Sequence, residues 1–179
     1  MIIVKNKMFI DLLPLSIDRL IVRRTILNDV DLLLKMDKQE VTQKYLGGIK
    51  DKSREERLDF LKEKIGKMNE NYIGQLTVCL EDTPIGLVGY KIDEDNNIGE
   101  ISYLFDEDYT NRGYCTLVCR KIIEIGFRKL DLKSIIADTV EGNNPSKRVL
   151  EKLGFQYKDS SIRNNVKFLN YVLYNTREI

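Results

Sequence analysis

Apolar side chains recur at every second position from residue 73 onward, and Ile73 to Glu81, Ile85 to Asp93 and Ile98 to Phe105 each read as a strand with one buried face. Asp82-Thr83-Pro84 and Glu94-Asp95-Asn96-Asn97 supply the turns between them. Connections this short join antiparallel neighbours, so the three strands form a meander. Upstream the period is helical. Ser53-Arg54-Glu55-Glu56 has the spacing of a capping box, and Leu58, Leu61, Ile65 and Met68 follow at three- and four-residue steps. Before that, an N-terminal extension (residues 1–19) containing Pro14 leads into a short strand, Leu20-Ile21-Val22-Arg23-Arg24. Asn28 is the expected cap of a helix carrying Val30, Leu33 and Leu34, and Leu46-Gly47-Gly48-Ile49-Lys50-Asp51 reads as a loop.

After the meander the pattern alternates between the two periods. A helix from about Tyr114 to Arg128 precedes a strand from Ser134 to Val140, and a strand–helix–strand crossover of that length favours a parallel pair. Asn144 is the expected cap of the next helix, with Pro145 at its first position and Gly154 at its end. Phe155 to Lys158 and Val166 to Tyr174 read as a final strand pair. No repeat, linker or low-complexity tract interrupts the chain, which predicts a single α+β domain over residues 1–179 with its core at 20–175: a mixed, mostly antiparallel sheet with helices on both faces.

Composition narrows the function classes. The chain has 179 residues, 42% hydrophobic and 32% charged, enough to bury a core without disulfides or metals. Its 29 Lys plus Arg against 28 Asp plus Glu leave a net charge of +1, so no global field attracts nucleic acid or an anionic membrane. Three cysteines without a C-x-x-C pair, and no histidine, argue against zinc and a disulfide framework and suggest a reducing cytoplasm. The N-terminus lacks the apolar segment of a signal peptide, and no run approaches the roughly 18 apolar residues of a membrane span.

Two stretches carry the chemistry. Tyr109-Thr110-Asn111-Arg112-Gly113-Tyr114-Cys115-Thr116 turns from strand to helix and leaves backbone N–H groups free, a setting that favours a diphosphate. Asn143-Asn144-Pro145-Ser146-Lys147-Arg148-Val149-Leu150-Glu151-Lys152-Leu153-Gly154-Phe155 is a capped helix closed by Gly-Phe. Together they resemble the acyl-CoA-binding signatures of the GNAT superfamily, most closely its ribosomal-protein N-terminal acetyltransferase (RimJ/RimL) branch. The resemblance spans about residues 20 to 175.

It implies a GNAT fold splayed at the central parallel pair and acetyl-CoA as cosubstrate, with no metal. In that reading Leu104 and Phe105 offer backbone groups to the pantetheine arm, Asn111, Arg112, Gly113, Tyr114, Cys115 and Thr116 cradle the pyrophosphate, and Asn143 helps hold the cofactor. Gly113 lets the backbone approach the phosphate oxygens. Thr110 stands where the family carries a basic or amide side chain, and Cys115 stands at a position that is Ala in many relatives.

Acetyl transfer to an amine needs a neutral amine and a proton for the leaving thiolate. Glu100 is the candidate base, against a plain reading as an ion-paired strand residue; Ser102 shares its face. The position of the family's usual acid, a tyrosine, is Leu150, so the resemblance passes that role to Ser146. An α-amine with a pKa near 8 is roughly a tenth neutral at pH 7, whereas a lysine side chain is neutral about four times in ten thousand. A weakly assisted site therefore favours α-amines. The expected function is an acetyl-CoA-dependent N-acetyltransferase acting by direct attack in a ternary complex on an amine-bearing acceptor, a peptide N-terminus or a small molecule. The alternatives are a polyamine or aminoglycoside acetyltransferase and a non-catalytic acyl-CoA-binding module. Monomer and homodimer are both open. Tyr45, Leu46 and Gly47 lie where relatives build the acceptor pocket.

Overall fold

The computed structural model describes residues 4–69 and 72–176, and within them the strands form one mixed sheet. Its members are β1 (Leu15–Ile17), β2 (Leu20–Arg24), β3 (Gly74–Leu80), β4 (Thr83–Asp93), β5 (Ile98–Phe105), β6 (Ser134–Val140), β7 (Gln156–Arg163) and β8 (Val166–Tyr174), in the spatial order β1-β2-β3-β4-β5-β6-β8-β7. The pair β5–β6 is parallel and its neighbours are antiparallel. The helices are α1 (Lys5–Ile10), α2 (Val30–Asp37), α3 (Glu40–Gln43), α4 (Arg54–Lys67), α5 (Tyr114–Arg128) and α6 (Asn144–Lys152). The expected α+β architecture is the observed one.

Two apolar clusters cover opposite faces of the sheet. On one, α5 contributes Val118, Cys119, Ile122 and Ile125 and α1 contributes Phe9, packed on Val88, Tyr90 and Ile101. On the other, α2 and α4 bring Leu33, Met36 and Leu61 onto Leu87. The alternation of Leu87 and Val88 between the clusters is the two-residue period of a strand buried on both sides. α4 starts as its sequence predicts: the Glu56 N–H donates to Ser53 Oγ (3.1 Å) and the Ser53 N–H to Glu56 Oε2 (2.8 Å).

Several boundaries differ from the sequence reading. Asn28 does not cap α2; it lies inside a 3-10 turn, Leu27–Asp29, and the buried Asp29 organises this corner instead. The Asp29 carboxylate accepts from the Ile26 N–H (2.9 Å), the Arg23 guanidinium (2.7 Å) and Thr77 Oγ1 (2.8 Å). Burial alone would raise its pKa, but these donors outweigh it and hold the group below the usual carboxylate range. Asn144 does not cap α6 either; Asn143 does, its Oδ1 accepting the Ser146 N–H at 3.2 Å. Thr83 and Pro84 belong to β4 rather than to the turn. Part of the N-terminal extension is core: Phe9, Ile10, Leu15 and Ile17 are buried, and β1 pairs with β2; residues 1–3 lie outside the described residues. β7 runs five residues beyond Lys158, to a two-residue turn in which Asn164 and Asn165 both have positive φ (49° and 60°), the geometry of a type I′ hairpin.

The end of β5 is fixed by a second buried carboxylate. Asp106 accepts from Lys35 Nζ (2.6 Å), Gln39 Nε2 (2.7 Å) and the Asp108 N–H (3.1 Å). Here too burial pushes the pKa up, and the Lys35 ammonium with the two N–H donors more than reverses it. A carboxyl depressed on folding contributes stability that is complete above its unfolded pKa, about 3.8, and is lost as pH falls through the folded value. Asp106→Asn should therefore cost on the order of 2 kcal/mol at pH 7. Its urea midpoint should then decline less steeply than the native protein's between pH 4 and pH 2, roughly the range below the unfolded pKa. Parallel declines in the two proteins would show that Asp106 does not carry this acid sensitivity.

Candidate active site

β5 and β6 stay paired for three residues, Ile98↔Ser134, Gly99↔Ile135 and Glu100↔Ile136, and then part. β5 continues along β4 as far as Phe105, opposite Gly86, while β6 continues along β8 as far as Val140, opposite Phe168. The gap therefore begins at Ile101. The Asp106 N–H donates to the Ile85 carbonyl at 3.0 Å, which fixes the parity of the strand. Even-numbered residues bond to β4, and Ile101, Tyr103 and Phe105 turn their N–H and C=O groups toward the gap. By the same alternation the backbone of Leu104 belongs to the β4 ladder. The Phe105 carbonyl accepts the Thr42 hydroxyl at 3.4 Å.

At the mouth of the gap stands the start of α5. Gly113 precedes it at φ +83°, a left-handed conformation, and Asn111 is left-handed as well (φ 59°). A Cβ on Gly113 would meet nothing within 4 Å, so backbone conformation rather than crowding by the protein requires glycine here. The first helical bond is the Leu117 N–H to the Gly113 carbonyl, at 3.0 Å. Among the described residues no acceptor pairs with the N–H groups of Gly113, Tyr114, Cys115 and Thr116. Helix start and dipole together form an electropositive cup. Arg112 stacks on Tyr109, 5.7 Å from the ring centroid, and the Thr110 hydroxyl is engaged with the Glu107 carbonyl at 2.9 Å. Cys119, one turn beyond Cys115, is fully buried, and its contact with Cys115 together with burial pushes its thiol up.

The far wall is the start of α6. Asn143, as its cap, aims Ser146 at the gap, where the Tyr103 phenol lies 3.0 Å from Ser146 Oγ and 3.3 Å from the Ser146 carbonyl. Burial pushes the Tyr103 pKa far up, and the Ser146 contact offsets only part of it, so the phenol stays a neutral donor. The Ser146 hydroxyl and a tyrosine thus meet after all, with the tyrosine supplied by β5 instead of α6.

Tyr103, Asn143 and Ser146 line one side of a cleft of about 580 Å³. The other side is built by Asp138 of β6, Arg163 and Phe168 of the β7–β8 hairpin, and the loop Tyr45 to Gly47. The Tyr45 hydroxyl donates to the Gly142 carbonyl at 3.0 Å, joining that loop to the turn before α6. Among the lining residues, Asp138 is the acidic one and Arg163 the basic one, and they pair at 2.6 Å. The register Glu100↔Ile136 places Asp138 on the sheet face of Glu100 and Ser102. Ser102 lines the cleft; Glu100 does not. Glu100 is half exposed, 4.0 Å from the Lys91 ammonium directly across the strand pair. No group of three His, Cys, Asp or Glu side chains among the described residues could share a metal ion.

Of the expected site residues, the structure brings Asn143 and Ser146 to this cleft; Leu104, Phe105, the 111–116 turn and Glu100 are not in its lining. Sequence reasoning missed Tyr103, Asp138, Arg163 and Phe168. Asp138 had a local signal, the one charged residue of the strand Ser134–Val140; Arg163 and Phe168 depend on a hairpin register that the sequence did not define.

The family profile described as an acetyltransferase (GNAT) domain matches residues 19–156. The uncharacterised N-acetyltransferase p20 of Bacillus licheniformis is 26% identical over 153 residues, 84% of this chain and 85% of that protein. The uncharacterised N-acetyltransferase YnaD of Bacillus subtilis (strain 168) is 39% identical over 49 residues, 27% of this chain, so the match spans 29% of that relative's length. Among solved structures, the ribosomal L7/L12 α-N-protein acetyltransferase RimL in complex with coenzyme A superposes with a TM-score of 0.74 at 17% identity, covering 90% of this chain and 96% of that one. The spermidine N-acetyltransferase of Vibrio cholerae, in complex with CoA and spermine, gives 0.72 at 15% identity, covering 89% and 97%. At these identities the likeness is one of fold.

Because Gly113 is left-handed yet sterically free, Gly113→Ala should cost about 1 kcal/mol of stability in urea denaturation and leave the fold intact. A cost near zero would show that the loop can adopt another conformation.

Proposed function

The chain belongs to the acetyltransferase (GNAT) family, and on that footing we propose that it transfers the acetyl group of acetyl-CoA to a primary amine, with a protein N-terminal α-amine as acceptor. The observation that carries this reading is the conjunction of two features: a strand edge on which the Tyr103 backbone groups and the Phe105 N–H face the gap without a strand partner, and a helix start whose N–H groups are free. An extended arm with amides at one end and a diphosphate at the other suits both. In this assignment the N–H groups of Gly113 to Thr116 take the pyrophosphate, Arg112 adds charge, and Asn111, Tyr114 and Asn143 flank the arm. Acetyl-CoA supplies the activated acyl group as a thioester.

This chain's residues then manage the protons. As the amine nitrogen bonds to the acyl carbon and the carbon–sulfur bond breaks, Ser146 gives its hydroxyl proton to the sulfur. Glu100 takes the proton released by nitrogen through water, since it lies two strand positions, roughly 7 Å, from the cleft-lining Ser102. Return of that proton to Ser146 through solvent closes the cycle. The Tyr103 phenol holds the serine oxygen. The absence of histidine from the chain favours α-amines, which need little assistance. A polyamine acceptor, as in the spermidine enzyme, is less well served, because the carboxylate that lines the cleft is already paired with Arg163.

Acetyl-CoA should raise the melting temperature of the native protein, and Gly113→Glu should abolish the rise by bringing a like charge to the phosphates. No rise with the native protein would overturn cofactor binding. Coenzyme A release measured over amino-terminal peptides, polyamines and aminoglycosides should be fastest with the peptides; release with none of them would point to a binding module. Ser146→Ala should lower kcat by about 100-fold or more with little change in acetyl-CoA affinity. Turnover equal to the native rate would remove Ser146 as proton donor.

A further inference from the structure

We propose that Arg163 selects the acceptor by receiving a carboxylate carried next to the acceptor's amine; this rests on the acetyltransferase reading above and names the class of amine that the same cleft accepts. Arg163 closes β7, and its side chain reaches across β8 to β6. On the way its guanidinium lies over the Phe168 ring, 3.7 Å from the centroid, and its Nη2 donates to Asp138 Oδ2 at 2.6 Å. One face is thus stacked and one N–H is spent. Among the described residues, Nε and Nη1 have no partner. A guanidinium carries five in-plane donors, so a stacked and singly tethered arginine retains an edge suited to a planar oxyanion.

Position gives that edge its meaning. Arg163, Phe168 and Asp138 all line the cleft into which Ser146 and Tyr103 point from the opposite wall. An acceptor whose amine faces Ser146 therefore presents its neighbouring substituent to Arg163. Asp138 fixes the guanidinium rather than competing for the amine, since its Oδ2 is already engaged. A second positive charge at that place meets the guanidinium and finds no free carboxylate among the lining residues, which discriminates against polycations by repulsion as well as by missing attraction. The required feature is an oxyanion close to the amine, and two sources carry it: an acidic residue at the second position of a peptide, and the α-carboxylate of a free amino acid.

The test compares the native protein with Arg163→Gln and Arg163→Glu, after melting temperatures have verified folding. The acceptors are C-terminally amidated tetrapeptides beginning Ala-Glu and Ala-Lys, free alanine, and spermidine. Binding is read by calorimetry without acetyl-CoA, and kcat/KM is read with it. The native protein should favour Ala-Glu over Ala-Lys by about tenfold in both readouts. Arg163→Gln should erase the preference and Arg163→Glu should invert it. Free alanine matching Ala-Glu would assign the site to amino-acid carboxylates; alanine matching Ala-Lys would assign it to acidic peptides. Equal binding of Ala-Glu and Ala-Lys by the native protein, or spermidine as the best acceptor, would overturn the proposal. A charge preference in binding without transfer to any acceptor would uphold it and overturn the catalytic reading alone.

Discussion

A parallel strand pair set between two antiparallel ladders answers to both of them. β5 follows β4 to Phe105 and β6 follows β8 to Val140, and beyond Glu100 and Ile136 the two cannot remain within bonding distance of each other. Backbone groups that would be satisfied in a continuous sheet are left facing a space, and unpaired backbone is costly unless water or a ligand reaches it. The cleft, its lining and its polarity all follow from that parting. An uninterrupted β5–β6 ladder would be a better sheet and no receptor.

What keeps the parting orderly is a set of polar anchors at the points where chain direction changes. Asp106 gathers Lys35, Gln39 and the Asp108 N–H at the end of β5, so the turn toward α5 leaves the sheet at a defined angle. Asn143 does the same at the start of α6, and the Tyr103–Ser146 contact spans the gap itself. Asp29, with Arg23 and Thr77, anchors the corner that seats α2 against the sheet. Asp106 and Asp29 combine a local backbone N–H with donors distant in sequence, so each ties its own turn to another element, whereas Asn143 acts locally as a helix cap.

The sequence made most of the sheet legible because strand period and turn chemistry are local. β2, β5, β6 and the span of α5 fall where alternation and helical spacing put them. The start of β7 was legible, but its continuation from Asp159 to Arg163 escaped because it is an edge strand exposed along nearly all its length, and Asp159-Ser160-Ser161 carries no alternation to read. β1 escaped because three residues are too few to establish a period. The caps at Asn28 and Asn144 failed by one residue or one turn, since several adjacent polar side chains can cap and only tertiary contacts choose among them. Near the cleft, the left-handed glycine turn before α5 and the α6 start with Ser146 were readable from motif. Tyr103 and Arg163 were not, because their placement depends on strand register and on a long side chain crossing two neighbours.

The loop from Tyr45 to Gly47 forms one side of the cleft, and Gly47 and Gly48 both sit at positive φ (93° and 87°) with open space around them. Its link to the opposite bank is the Tyr45 hydroxyl on the Gly142 carbonyl. One exposed hydrogen bond of this kind is worth about 1 kcal/mol. Two further bonds, from the Leu46 and Gly48 N–H groups to the Gln43 carbonyl (2.9 and 3.0 Å), curl the panel onto its own helix, so it is moored to the far bank at one point and to α3 at two: parting the banks breaks one mooring and leaves both the curl and the sheet intact.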